Sequence, residues 1–201
     1  MKDKKSYHHG DLRKTLVDTA TDIIRGGGVE SLSMRKLADQ VSVSRTAPYH
    51  HFKDKNALLC AIAEQGFLLQ DLTVKQMPAD YPDFSAAALF EHYVLTYIRF
   101  ANEHPETYDL MFGREIWKTG KPTESLKTIS KSSFRRWVEW IAQLQQQDLF
   151  DRNEPALRIA QASWAALHGL CRLFNDGIYV NRDDLEAIAK TTVKMLIQPK
   201  K

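Results

Sequence analysis

Two cysteines, Cys60 and Cys171, are all the sequence holds, and they lie far apart outside any CxxC spacing. That excludes a disulfide framework or a cysteine zinc site and leaves two buried thiols in a reducing compartment as the expectation. No uninterrupted apolar run approaches the roughly 18 residues of a membrane span. The opening MKDKKSYHHG carries charge without the apolar segment of a signal peptide, so a soluble, cytoplasmic protein free of membrane is expected. A nucleophile motif and a glycine-rich phosphate loop are also missing. The histidines include the pairs His8-His9 and His50-His51, but sequence neighbours on a helix point about 100° apart and form no i, i+4 chelate. Enzymatic activity, a cofactor and a bound metal are therefore not expected.

What is present is ordinary in bulk and uneven in detail. The 201 residues are 43% hydrophobic, enough for a packed core, and the net charge is +3. Residues 1–60 carry 11 Lys and Arg against 7 Asp and Glu, while the remainder carries 17 against 18. The basic excess is confined to the N-terminal part, as an electrostatic surface for nucleic acid requires.

That part contains SMRKLADQVSVSRTAPYHHF, residues 33–52. Met34, Leu37, Ala38 and Val41 fall at i, i+3, i+4 and i+7, so a short amphipathic helix is predicted with Arg35, Lys36 and Asp39 on other faces. After Val41-Ser42-Val43, Ser44 is placed to cap a second short helix exposing Arg45, Thr46, Tyr49 and His50. Two such helices joined by a tight turn make a helix-turn-helix, whose second helix enters the major groove. Arg45 can fork to guanine O6 and N7, Thr46 can meet a base edge or a thymine methyl, and Tyr49 and His50 can reach phosphates. Pro48 would then be the fourth helical residue, where at most one backbone hydrogen bond is lost.

The flanks extend the pattern. Asp11 to Arg25 repeats apolar residues at helical spacing and ends at Gly26-Gly27-Gly28. Ser33 is a predicted N-cap, with Lys36 where a capping box would place Glu; a cation in a first turn opposes the helix dipole unless phosphates lie in front of it. Asp54 is a predicted N-cap for a long helix running to about Met77. Its N-terminus, with Lys53 and Lys55 beside it, suits a phosphate clamp. Lys2, Lys4 and Lys5 form a basic arm that either follows DNA or is a solvated tail. Pro78 to Pro82 marks a boundary.

The run from Tyr7 to Leu59 resembles the N-terminal domain of the TetR/AcrR family of bacterial transcriptional regulators. The matching parts are the helix ending in glycines, SMRKLADQ, the VSR opening of the recognition helix, the YHHF close and the KDKNALL start of the connecting helix. Ser42 stands at the usual turn glycine and Pro48 at a usual leucine; neither removes a donor facing DNA. The resemblance implies that Ser33, Arg35, Tyr49, His50, Lys53 and Lys55 contact the DNA backbone. It places Ser44, Arg45, Thr46 and Ala47 nearest base edges. For Ser33 and Ser44, pure N-capping is an equal reading compatible with a DNA role.

Beyond residue 81, helices are predicted over 84–102, from Leu126 past Leu144, over LRIAQASWAALHGLCRLFNDG from Leu157 to Gly177, and from Arg182 to about Ile197. The last two carry more apolar surface than a small domain buries alone, so they are expected to pack against a second copy; Leu170, Leu173, Ile188, Thr192 and Met195 are the candidates. Aromatic residues concentrate here. Tyr93, Tyr97, Phe112, Trp117, Trp137, Trp164 and His168 are candidate lining for a small-molecule pocket, against the plain reading that aromatic stripes at helical spacing are core. Trp164, His168 and Gly169 also resemble the Trp-His-Gly class of C-terminal domains in the same family.

The expected fold is all-α: a helix-turn-helix DNA-binding domain (1–54), a connecting helix (55–80) and an effector-binding and dimerisation domain (81–201). The expected function is a homodimeric transcriptional regulator; repression, and release from a palindromic double-stranded DNA operator by a small-molecule effector, follow from the resemblance. The alternatives are an architectural DNA-binding protein without effector and, more remotely, a metal-dependent sensor or enzyme.

Overall fold

The computed structural model describes residues 12–179 and 184–197. The basic arm, Asp11 and residues 180–183 therefore lie outside the described residues. Within them the chain is all-α, with eight α-helices and no strand: α1 (Leu12–Gly27), α2 (Met34–Val41), α3 (Lys55–Asp80), α4 (Ala86–Glu103), α5 (Pro105–Phe112), α6 (Glu124–Gln146), α7 (Ala156–Asn175) and α8 (Leu185–Leu196). Short 3₁₀ turns at Val29–Ser31 and Ala47–His50 and a π-helical stretch at Glu115–Thr119 complete the order.

Helix ends follow local chemistry. Gly26 and Gly27 continue α1, and the chain breaks at Gly28, where φ is +71° and a Cβ would be penalised. Ser33 caps α2 by accepting the Lys36 N–H at 3.1 Å, and Asp54 caps α3 by accepting the Ala57 N–H at 2.8 Å. α3 runs three residues past the expected Met77, carrying Pro78 in its last turn. There a proline removes one bond, and the Tyr81 N–H still reaches the Met77 carbonyl at 3.0 Å. Among the described residues α3 is the one helix long and apolar enough to cross a membrane by length and composition, although half of its most apolar window is buried in the fold. Counting unbroken apolar runs misses it because Glu64 and Asp71 interrupt the stretch.

The chain divides into two compact units. The first comprises residues 1–65 together with 106–126. Its buried side chains include Leu16, Val17 and Ala20 of α1, Leu37 and Ala38 of α2, and Leu58 and Ile62 of α3. The 106–126 segment, read from sequence with the C-terminal region, is held here by polar contacts to α3. The Asn56 amide donates to the Lys121 carbonyl at 2.7 Å and accepts the Lys121 N–H at 3.4 Å, and the Thr123 hydroxyl bonds Glu64 at 3.2 Å. Gly120 permits that approach, since a Cβ there would sit 2.6 Å from Asn56 Oδ1.

The second unit comprises residues 66–105 and 127–201. α4 packs on α7 and α8, and α7 on α8. Side-chain donors cross these interfaces. Trp137 Nε1 donates to the Ala160 carbonyl at 3.0 Å, Trp164 Nε1 to the Tyr97 hydroxyl at 3.2 Å, and the Asn175 amide to the Ala101 carbonyl at 3.1 Å. Indole and amide N–H groups so buried need acceptors, and main-chain carbonyls on neighbouring helices supply two of the three.

Candidate nucleic-acid interface

Sequence order and backbone chemistry build this site. The turn after α2 is a Schellman motif: the Val43 N–H bonds the Ala38 carbonyl at 3.0 Å and the Ser42 N–H bonds Asp39 at 3.3 Å. The residue between them must be left-handed, and Ser42 adopts φ 58°, ψ 42°. A non-glycine residue there costs about 1 kcal/mol or more. Ser42→Gly is expected to raise unfolding stability by about 1 kcal/mol, measured by denaturant unfolding, and an unchanged midpoint would contradict the strain.

The recognition element departs from the sequence expectation. In place of a second short α-helix capped by Ser44 there is a four-residue 3₁₀ turn, Ala47–His50. The Ser44 hydroxyl caps nothing; it sits 3.1 Å from the Thr46 hydroxyl. Pro48 explains the change. It has no N–H to give the Ser44 carbonyl and disfavours α conformation at Ala47. The Ala47 N–H takes that carbonyl instead, at 3.0 Å, and the Tyr49 N–H bonds Thr46 at 3.1 Å in the same i→i−3 pattern. Pro48 itself is buried, so its ring also anchors the turn.

The turn leaves the expected side chains outward. Arg45, Thr46 and His50 are exposed and Tyr49 is 55% exposed, with Ala47 half-buried. Ser33, Arg35 and Lys53 are exposed as well; Arg35 Nε stands 4.0 Å from Asp39, a loose contact that leaves the guanidinium available. Ser33, Arg35 and Lys36 join Asp39 and Gln40 around an open depression of about 430 Å³ on α2.

Lys55 is placed differently from a free phosphate clamp. Its ammonium donates to the Val29 carbonyl at 2.7 Å in a half-buried position, while Lys36 donates to the Ser31 carbonyl at 3.2 Å. Both cations thus tie down the 3₁₀ turn between α1 and α2. One of three N–H donors is spent in each case, leaving two for a ligand. Sequence reasoning missed this bracing, and it missed Arg13, whose guanidinium lies 5.2 Å over the Phe52 ring and fastens the end of the recognition segment to α1. The signal for Arg13 was a cation on an exposed helix face with no acidic partner one turn away.

Comparison with known proteins bears on this arrangement. Residues 16–62 match the model of bacterial regulatory proteins, tetR family, and residues 90–196 match the model of the tetracyclin repressor-like C-terminal domain. Together the two matched segments span both units. The chain belongs to the TetR family. This TetR-family transcriptional regulator is 42% identical over 52 residues to the tetracycline repressor protein class C of Escherichia coli, covering 26% of this chain and 24% of the repressor. It spans about a quarter of the length of that relative and of the class A repressor. A protein of unknown function from Rhodococcus sp. RHA1 superposes over 97% of this chain and 100% of its own, with a TM-score of 0.79 and 30% identity. The structure of AibR in complex with isovaleryl coenzyme A and operator DNA shares the fold at a TM-score of 0.62 and 21% identity, covering 93% and 98% of the two chains.

The regulator's candidate pocket residues are distributed over both units. Tyr93, Tyr97, Trp137, Trp164 and His168 lie in the second unit, whereas Phe112 and Trp117 lie in the first. In the second unit the rings touch. Tyr93 is 5.1 Å from Trp137 and 6.0 Å from Tyr97, and Trp164 stacks on His168 at 5.5 Å. Burial pushes the Tyr93 phenol well above its ordinary pKa, so it stays protonated. In the first unit, Phe112 packs on Tyr108 at 4.9 Å and Trp117 Nε1 donates to the Met111 carbonyl at 2.8 Å. Trp140 was missed: it stands 5.1 Å from Tyr93 and 5.5 Å from Trp137, and its three-residue spacing from Trp137 was the available signal. Of the candidate interface residues, Leu170 is buried within the single chain, Leu173, Ile188 and Thr192 are half-buried, and Met195 is 82% exposed. Both cysteines are free and buried, and burial raises the Cys60 thiol further above neutrality.

Proposed function

We propose that this TetR-family regulator is a homodimeric repressor that binds a palindromic operator and leaves it when a small effector occupies the second unit. The observation that carries the DNA-binding half is the exposed donor set Arg45, Thr46, Tyr49 and His50 at and just before one short 3₁₀ turn after α2, in the part of the chain that holds the basic excess. Arg45 reads a guanine edge. Ala47 and the Thr46 methyl suit a thymine methyl, because the Thr46 hydroxyl is engaged with Ser44. Ser33, Arg35, Tyr49, His50, Lys53 and the remaining donors of Lys55 hold phosphates and fix the register.

One recognition turn spans few base pairs, so two copies on a two-fold axis, with half-sites about one helical turn apart, supply the missing specificity. Met195 on α8, and Ala162 and Ala166 on one face of α7, are apolar side chains left exposed in the single chain, and they support that pairing. Release requires an effector that binds the non-DNA-binding state more tightly; tight binding alone shifts nothing. The ligand and DNA named together in the AibR complex support the pairing of effector site and operator within this fold.

A titration of labelled random-sequence duplex at several salt concentrations tests the surface. The wild type is expected to bind with a steep salt dependence. Lys55→Ala is expected to weaken all sequences alike and flatten the slope by about one phosphate. Binding that ignores salt, or an unchanged slope in Lys55→Ala, would remove the lysine from the interface and leave it a brace for Val29.

A further inference from the structure

Arg13 stands apart from the other cations of α1. Lys14 pairs with Asp18 and Arg25 with Asp22, whereas the residues three and four places beyond Arg13 are Leu16 and Val17, both buried. Its guanidinium lies over the Phe52 ring, 5.2 Å from the centroid, and its N–H donors meet no acceptor among the described residues, although the side chain is exposed. A cation–π contact uses no acceptor, so the five N–H groups of the fork remain for a ligand.

The ring beneath it is fixed. Phe52 is 3% exposed, and its N–H bonds the carbonyl of the buried Pro48 at 2.9 Å. Phe52 thus closes the 3₁₀ turn that displays Tyr49 and His50, and the exposed Lys53 follows it directly. Arg13 belongs to α1 and yet is held one ring away from the backbone that carries Lys53. The first turn of α1 also holds no acidic residue, and a cation there opposes the helix dipole, an arrangement that a neighbouring anion turns favourable. The phosphate contacts named above lie at α2, on the recognition turn and at the start of α3; none lies on α1.

We infer that Arg13 is a further DNA-binding residue, its guanidinium holding a backbone phosphate beside the one taken by Lys53, so that α1 joins the interface. The inference rests on the DNA-binding reading above and adds a residue to it. The planar fork suits a phosphate, whose oxygens accept two parallel N–H bonds. Stacking on Phe52 holds that fork in place beforehand, so little side-chain freedom is lost when the phosphate arrives. A phosphate contact carries no base preference; Arg13 adds affinity and register, not sequence choice.

Salt titrations of the purified protein on random-sequence duplex, with thermal melting of the same variants, test the assignment. Arg13→Met keeps an apolar stem against Phe52 and loses the charge. It is expected to weaken every sequence alike, roughly fivefold at about 0.15 M salt, and to flatten the salt slope by about one phosphate. Arg13→Lys is expected to keep the wild-type slope, because an ammonium still neutralises a phosphate. Ethylation of single phosphates on the selected site gives a second readout: one position in each half-site that blocks the wild type is expected to be indifferent in Arg13→Met. A methionine variant that melts lower but keeps the slope and the blocking phosphate would overturn the contact and leave Arg13 a brace for Phe52. A slope lost equally in Arg13→Lys would overturn it too, since charge would not be what the DNA meets. Wild-type binding that ignores salt would instead overturn the DNA-binding reading, and the role of Arg13 with it.

Discussion

Arg45→Ala is expected to cost about 1–3 kcal/mol of binding at a single base pair and to relax the choice of base there, leaving affinity for random DNA nearly unchanged. Arg45 is exposed, opens the recognition segment, and has no partner among the described residues that would have to be broken before it forked to guanine. Its fork is also rigid, so a bidentate pair forms with little further ordering. Competition binding with single-position operator variants measures the effect. A loss shared equally by cognate and random duplex would make Arg45 a phosphate contact, and the reading of the 3₁₀ turn as the base-reading element would fail with it.

Leu37→Ala is expected to destabilise the first unit by about 2–5 kcal/mol, the cost of deleting a fully buried leucine without collapse of the surroundings. Leu37 has 0% exposure, whereas Arg35 and Lys36 are exposed on other faces of α2, so the change touches no proposed DNA contact. Against a total stability of roughly 5–15 kcal/mol for a whole domain, such a loss depopulates the folded helix-turn-helix on warming. Binding to every sequence should fall together as temperature rises, in step with loss of helical signal by circular dichroism. A variant that melts with the wild type but binds poorly would mean that Leu37 acts on DNA geometry and not on folding.

Much of this was legible in the residues. Ser33 and Asp54 cap the helices they were expected to cap, because a side-chain oxygen before an amphipathic stripe has one main-chain donor within reach. Met34, Leu37, Ala38 and Val41 are all buried, as their spacing required. The TetR family was legible because its N-terminal motif is continuous. Where reading failed, two local effects competed or the partner was distant in sequence. By helix position Pro48 is tolerable in an α-helix, whereas its missing N–H and its restriction of Ala47 together tip the segment into a 3₁₀ turn and idle Ser44 as a cap. Lys55 stands in a first turn, a position that suggests a phosphate contact, but its ammonium donates to the Val29 carbonyl, 26 residues earlier. Phe112 and Trp117 shared aromatic character with Tyr93 and Trp137 but not a unit, since residues 106–126 group with α3's first turns through Asn56 and Glu64. No periodicity encodes such a return of the chain.

The most direct test of the central claim is selection of preferred sites from random duplex DNA by the purified protein, followed by sequencing. A two-fold palindrome with half-sites about one helical turn apart is predicted, each half bearing the guanine that Arg45→Ala ceases to require. A single unrepeated half-site, or no enriched sequence at all, would contradict a dimeric, base-reading regulator.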